Sequence, residues 1–130
     1  MSTRPSSAVR WTAWTLRGLG VAFMTFDVAI KLLQLPMAIE GTTVLGYQAS
    51  AVFTIGLIQL LCLVLYVVPA TSVFGAVLFT GYLGGAIATH LRLGNPLFSH
   101  VLFPIYVALF LWGGPYLQEP RLRALMPFRR

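Results

Sequence analysis

Charged residues are scarce in this 130-residue chain: they make up only 9% of it, and only three of them are acidic. Because about a quarter of the residues in a soluble domain are charged, this shortage excludes an ordinary soluble protein. Hydrophobic residues fill 58% of the sequence, and the mean hydropathy is +0.82. The composition therefore predicts an integral membrane protein, and the length suits a single domain.

Cysteine and histidine are also rare, with Cys62, His90 and His100 as the complete set. One thiol excludes an intrachain disulfide and a C-x-x-C redox centre. A metal site needs several converging ligands, so we expect no metal and no intrinsic cofactor. The net charge of +6 does not indicate a nucleic-acid partner, because the arginines gather beside apolar segments and not on one folded face.

Four apolar segments divide the chain, and each is about as long as a helix that crosses a bilayer. They span residues 16–35, 50–68, 73–91 and 99–117. Their apolar residues run all round the predicted helices, as in a bundle embedded in lipid. We predict an all-α integral membrane four-helix bundle. Its predicted parts are a flexible tail over residues 1–10, the transmembrane domain over residues 11–117, and a basic tail over residues 118–130.

The arginines predict the orientation of the bundle. Four spans leave both chain ends on one side, and the arginines of that side are Arg4, Arg10, Arg17, Arg121, Arg123, Arg129 and Arg130. The loops of the opposite side contain a single arginine, Arg92. Because cytoplasmic flanks are rich in Lys and Arg, we predict a multi-pass membrane protein with both termini cytoplasmic.

Asp27 and Lys31 are the only ionisable side chains between residues 18 and 35. An ionisable group is costly inside hydrocarbon and faces the bundle interior or a polar cavity. Four residues apart, the two side chains share one helix face and can neutralise each other. Two interpretations follow: a structural ion pair that locks helices together, or part of a ligand or proton site.

The predicted topology gathers further polar side chains in the outer half of the membrane. Gln59 and Tyr82 fall near the middle of their spans, and His90 lies near the outer boundary. Together with Asp27 and Lys31 they form a candidate ligand site, in which Asp27, Tyr82 and His90 are the candidate catalytic residues. The alternative is a purely structural role, in which Gln59 forms an interhelical hydrogen bond and His90 lies at the membrane interface.

Small side chains are dense in the third segment. Gly81 and Gly85 are four residues apart, as are Gly84 and Ala88, a spacing that lets two helix backbones approach closely. We predict that these four residues pack against another helix of the same chain or of a neighbouring chain. Replacing Gly85 by leucine should then be more disruptive than truncating Leu111, which we expect to be exposed.

Three stretches form a combined pattern: Phe26-Asp27-x-x-x-Lys31, Leu45-Gly46-Tyr47 and Gly81-Tyr82-Leu83-Gly84-Gly85-Ala86-x-Ala88-Thr89-His90-x-Arg92-x-Gly94. Together they resemble the DoxX-like family of small bacterial membrane proteins, over nearly the whole chain from about residue 16. The resemblance implies a four-helix bundle in the bacterial inner (plasma) membrane. The wider DoxX and DoxD group takes its name from a thiosulfate:quinone oxidoreductase, so the resemblance also implies a link with quinone-dependent redox complexes.

These features predict an outer-facing polar pocket that binds a small lipophilic molecule, a quinone or an isoprenoid-like lipid, in a membrane subunit of a redox complex. A quinone carbonyl would accept a hydrogen bond from Lys31 or His90. Two alternatives stay open. One is a membrane-embedded acid–base enzyme of isomerase or hydratase type, with Asp27 as the base and His90 or Tyr82 as the acid. The other is a small transporter or structural subunit that forms a homo-oligomer, and membrane lipids are partners in every case.

Overall fold

The computed structural model describes residues 6–129, and within that range the chain is helical with no β-strand. The helices in chain order are α1 (Ser7–Leu32), α2 (Pro36–Thr43), α3 (Ala51–Val67), α4 (Ser72–Arg92), α5 (Phe103–Gln118) and α6 (Pro120–Leu125). A 3₁₀ turn at Pro69–Thr71 precedes α4, and a π-helical turn at Leu97–Val101 precedes α5.

The four long helices form a bundle. α1 packs against α3 and α5, and α4 packs against the same two helices, so that α1 and α4 lie across one diagonal. Consecutive long helices run antiparallel: Lys31 near the end of α1 contacts Gly56 near the start of α3, and the connections after α3 and α4 are short. Both ends of the described chain consequently lie at one end of the bundle, here named the terminal end, and Lys31 lies towards the opposite, far end. The predicted all-α bundle is confirmed.

The long helices are suited to a membrane by length and composition. The segments Ser7–Leu32, Pro69–Arg92 and Leu97–Gln118 are each long and apolar enough to span a bilayer. α3 is apolar but has only 17 residues, which corresponds to about 25 Å at the usual helical rise. Large apolar side chains cover the outside of the bundle, among them Leu19, Phe26, Leu61, Phe74 and Leu109. Such a surface is stable against lipid and unstable against water.

Both chain ends are more helical than predicted. α1 begins at Ser7, and the Ser6 hydroxyl caps it by accepting a hydrogen bond from the backbone N–H of Val9 at 3.2 Å. α1 therefore includes residues 7–10 of the predicted tail. The predicted basic tail contains α6, which Arg123 ties to the last carbonyls of α5. Residues 1–5 and 130, and with them Arg4 and Arg130, lie outside the described residues.

A proline within α5 explains one buried contact of the core. Pro115 has no N–H, so the carbonyl of Leu111, four residues earlier, loses its helical partner. The hydroxyl of Tyr66 on α3 donates to this carbonyl at 2.6 Å, and all three residues are buried. Since an unpaired buried carbonyl is costly, the proline and the tyrosine hydroxyl stabilise the bundle only in combination.

The glycines that bring helices together are not the predicted ones. Gly81, Gly84 and Gly85 are exposed, and a Cβ atom added at any of them would meet nothing within 4 Å. Ala88 is exposed too. The prediction that they pack against another helix of the same chain is therefore wrong for the described residues, and packing against a second chain stays a prediction.

The close approaches occur at other glycines. The backbone of Tyr66 on α3 contacts Gly75 on α4 so tightly that a Cβ would collide with it, and the side chain of Lys31 contacts Gly56. Leu111, expected to be exposed, is buried against Gly20 with 1% of its surface accessible. α4 is rotated such that its glycine-rich face points outward.

Candidate functional site

The pair predicted on α1 is present. Lys31 Nζ donates to Asp27 Oδ2 at 2.6 Å, and the two side chains are 13% and 27% exposed. The spacing of four residues on a continuous helix produces this contact directly. The pair places a neutral combination of charges inside the bundle, where a single charge would be costly.

Gln59 of α3 joins the pair through both ends of its amide. Its Oε1 accepts from Lys31 Nζ at 3.0 Å, and its Nε2 donates to Asp27 Oδ2 at 2.8 Å. The side chain is fully buried, with no accessible surface. An amide suits this position because it offers an acceptor to the ammonium group and a donor to the carboxylate at once.

Tyr82 of α4 completes the network. Its hydroxyl oxygen accepts from Lys31 Nζ at 2.8 Å, and its O–H donates to Gln59 Oε1 at 3.3 Å. The three bonds to Asp27, Gln59 and Tyr82 account for every hydrogen of the lysine ammonium group. Among the described residues, no buried side-chain nitrogen or oxygen lacks a partner. The side chains of Asp27, Lys31, Gln59 and Tyr82 thereby hold three helices together, and they are here named the polar network.

A cavity of about 220 Å³ lies beside the polar network. Its lining residues are Lys31, Thr42, Leu45, Tyr47, Ile55, Ile58, Tyr82, Gly85, Ala86 and Thr89. These residues come from the end of α1, from α2 and the loop after it, from the start of α3 and from the second half of α4. The cavity is therefore in the half of the bundle near the far end.

A second polar contact, between Tyr47 and Thr89, lies in the wall of the cavity. Thr89 Oγ1 donates to the carbonyl of Gly85 at 2.8 Å, which uses its only hydrogen. Tyr47 Oη lies 3.0 Å from Thr89 Oγ1 and must therefore be the donor of that bond. This contact attaches the loop after α2 to α4 and closes one side of the cavity.

Four of the five predicted ligand residues come together, and one does not. Lys31 and Tyr82 line the cavity, while Asp27 and Gln59 stand behind them in the polar network. His90 is not in the lining: its Nδ1 accepts from Asn95 Nδ2 at 2.8 Å, and its ring lies 5.6 Å from that of His100. One residue along a helix turns a side chain by about 100°, so Thr89 lines the cavity in the place predicted for His90.

Sequence reasoning missed Thr42, Tyr47 and Thr89 as lining residues. Tyr47 belongs to the Leu45-Gly46-Tyr47 stretch of the family pattern, and this stretch could have indicated that the loop takes part in the site. Gly46 adopts a φ of 94°, a left-handed conformation that favours glycine, and it turns the loop back over the cavity.

Within residues 6–129, no three His, Cys, Asp or Glu side chains converge as metal ligands.

Comparison with known proteins gives one match. The model of the DoxX-like family matches residues 15–114, which include the polar network and all the lining residues of the cavity. No curated protein and no solved structure matches the chain.

Proposed function

We propose that this chain, which belongs to the DoxX-like family, binds the polar head of a small lipophilic molecule in the cavity beside Lys31 and Tyr82. The ligand class is a quinone or an isoprenoid-like lipid, and for a quinone the protein acts as a membrane subunit beside a redox enzyme. The observation that carries the proposal is the cavity itself, in which mostly apolar walls surround a few polar groups. Ligand sites between bundle helices have this composition.

The size of the cavity limits what it takes. Its 220 Å³ is below the range of about 300–1,000 Å³ that encloses a drug-sized molecule. A single ring or a short polar head fits, and a long chain does not. The remaining part of the ligand would extend between the helices into the lipid.

Tyr82 is the group best able to bind a carbonyl oxygen. Lys31 has every hydrogen engaged, so it donates to a ligand only by giving up a partner. The bond from Tyr82 to Gln59 is the longest oxygen–oxygen or nitrogen–oxygen contact of the polar network at 3.3 Å, and Gln59 Oε1 would keep its bond from Lys31. The tyrosine hydroxyl can therefore turn to a ligand at small cost.

This arrangement supports binding more than the acid–base alternative. Asp27, the candidate base, does not line the cavity, and its Oδ2 accepts from both Lys31 and Gln59. A general base must come within hydrogen-bond distance of the proton that it abstracts. The role of Asp27 in the proposal is to keep Lys31 charged and in place.

Binding is tested with the full chain in lipid nanodiscs and a quinone bearing one isoprene unit, its dissociation constant measured by native mass spectrometry. Tyr82→Phe removes the proposed donor and should weaken binding about tenfold, the value of one hydrogen bond to a carbonyl in a dry site. Tyr106→Phe is the matched control, because the hydroxyl of Tyr106 on α5 donates to the carbonyl of Phe98 in the π-helical turn, and neither residue lines the cavity. Equal binding by the two variants would contradict the role of Tyr82.

Two neighbouring glycines allow a second, independent test. Gly85 lines the cavity and Gly84 does not, and an added Cβ meets nothing within 4 Å at either position. Gly85→Leu should fill the cavity and abolish binding of the quinone, while Gly84→Leu should leave it unchanged. Unaltered binding in Gly85→Leu would refute the cavity as the site.

A further inference from the structure

We propose that a cleft at the terminal end of the bundle binds the phosphate group of an anionic phospholipid, with Arg17 as the residue that holds it. This site goes beyond the proposed function, because it lies at the opposite end of the bundle from the cavity beside Lys31 and Tyr82.

The guanidinium of Arg17 is held in a defined position. Its Nε donates to Gln118 Oε1 at 2.7 Å, and one terminal nitrogen donates to Ser72 Oγ at 2.8 Å. The faces of Trp14 and Tyr66 lie 5.8 and 5.4 Å from the guanidinium carbon, within the range of cation–π attraction. Contacts to the end of α5, the start of α4 and the end of α3 orient the group before any ligand arrives.

The charge of Arg17 has no counter-charge in the part of the chain that the structure describes. The ion pairs there are Asp27 with Lys31 and Glu119 with Arg121, and both partners of Arg17 are neutral. Its guanidinium carries more N–H groups than two bonds use. A half-buried cation with spare donors favours an anionic oxygen ligand, and the planar guanidinium matches two oxygens of a phosphate.

Space for such a ligand lies directly beside the guanidinium. A cleft of about 540 Å³ is lined by Arg17, Ser72 and Gln118 on its polar side and by Gly18, Val21 and Val67 on its apolar side. Val67 and Gly18 are exposed on the outside of the bundle. If the phosphate of a phospholipid binds Arg17, the acyl chains of that lipid can therefore lie along an apolar surface that faces the membrane.

Two features favour a phospholipid over a free phosphate ion. The apolar part of the lining offers nothing to a small hydrated anion but does contact an acyl chain. The terminal end also carries Arg10, Arg121, Arg123 and Arg129, and clusters of arginine next to membrane helices attract anionic lipids. Charge complementarity and lining therefore indicate the same occupant.

The first test titrates the full chain in detergent with phosphatidylglycerol and, separately, with phosphatidylcholine, and counts bound lipid by native mass spectrometry. Arg17→Gln should weaken phosphatidylglycerol binding about tenfold, because it removes a charge-assisted bond. Arg121→Gln removes the same charge at the same end from a highly exposed side chain and should change binding little. Equal affinity of the wild type for the two lipids, or equal binding by Arg17→Gln and wild type, would overturn the proposal.

A second variant covers the case in which Arg17→Gln loosens the helices. An added Cβ at Gly18 meets nothing within 4 Å, so Gly18→Phe should fill the cleft and leave both hydrogen bonds of Arg17 intact. Gly41→Phe is the matched control, since Gly41 is equally open but lies on α2 at the far end. Gly18→Phe should lose phosphatidylglycerol and Gly41→Phe should keep it; retention in both would refute the cleft as the site.

Inorganic phosphate distinguishes the two sources of the same chemistry. The lipid proposal expects millimolar phosphate to leave both phosphatidylglycerol binding and the unfolding temperature of the lipid-free protein unchanged. Phosphate that displaces the lipid and stabilises the wild type, but not Arg17→Gln, would show a site for a soluble anion and overturn the assignment to a phospholipid.

Discussion

Replacing Lys31 by methionine should destabilise the bundle more than replacing Lys31 by methionine and Asp27 by asparagine together. The single change leaves the Asp27 carboxylate without its counter-charge, with Gln59 Nε2 as its remaining donor at 2.8 Å. The double change leaves no charge, and an asparagine amide can still bond to Gln59. The lysine thus matters mainly as the partner of the aspartate.

The magnitude follows from the burial of the pair. Both side chains are less than a third exposed, and breaking a buried ion pair from one side costs about 3–5 kcal/mol. Replacing a whole buried pair by neutral groups is often close to neutral. Both variants lose the bonds from Lys31 to Gln59 and Tyr82, so the cost of those bonds cancels in the comparison. The single variant should therefore lose about 3–5 kcal/mol more than the double variant.

The assay is equilibrium unfolding in mixed micelles, followed by circular dichroism, with wild type and both variants in the same lipid and detergent. The exposed pair of Glu119 and Arg121 gives a matched control: Arg121→Met alone and together with Glu119→Gln should both leave stability nearly unchanged. A double variant of Asp27 and Lys31 as unstable as the single one, or less stable, would refute the coupling.

Three further predictions concern packing and are measured by thermal unfolding in detergent. Tyr66→Phe should cost about 1–3 kcal/mol because it strands the buried Leu111 carbonyl, and the cost should shrink in a Pro115→Ala background, where the new N–H can reach that carbonyl; an unchanged cost would contradict the account. Leu111→Ala should cost about 2–5 kcal/mol, whereas Gly85→Leu should cost little because its Cβ meets nothing; the opposite order would show that Gly85 packs against another chain. Gly75→Ala should impair folding through its collision with the Tyr66 backbone, and a stability equal to that of Gly85→Ala would count against this contact.

The polar network was largely predictable from the sequence, and its reason is local. Asp27 and Lys31 share a helix, so their four-residue spacing specifies the contact regardless of what surrounds them. For Gln59 and Tyr82, only the depth in the membrane could be predicted, because the topology of the spans sets how far each residue lies from the membrane surface. Their hydrogen bonds to Lys31 depend on which way α3 and α4 turn about their own axes.

The packing faces could not be predicted in this way. A helix that is apolar all round carries no periodic signal for its inward side, and α4 is of this kind. The run from Gly81 to Ala88 therefore looked like an interface, although the close approach occurs at Gly75, two turns earlier. For the same reason Leu111 was expected outside, and the structure buries it.

The sequence by itself determined the membrane character, the helical bundle and the ion pair of α1, since these depend on composition, segment length and spacing along one helix. Only the tertiary structure decided that Thr89 and not His90 lines the cavity and that the loop of Tyr47 closes over it. It also decided that Arg17 lies beside a cleft and forms no ion pair with a carboxylate of the described residues. Those outcomes depend on the rotation of each helix about its axis. That rotation is the sum of many weak packing contacts from distant parts of the chain, and no single stretch of sequence contains it.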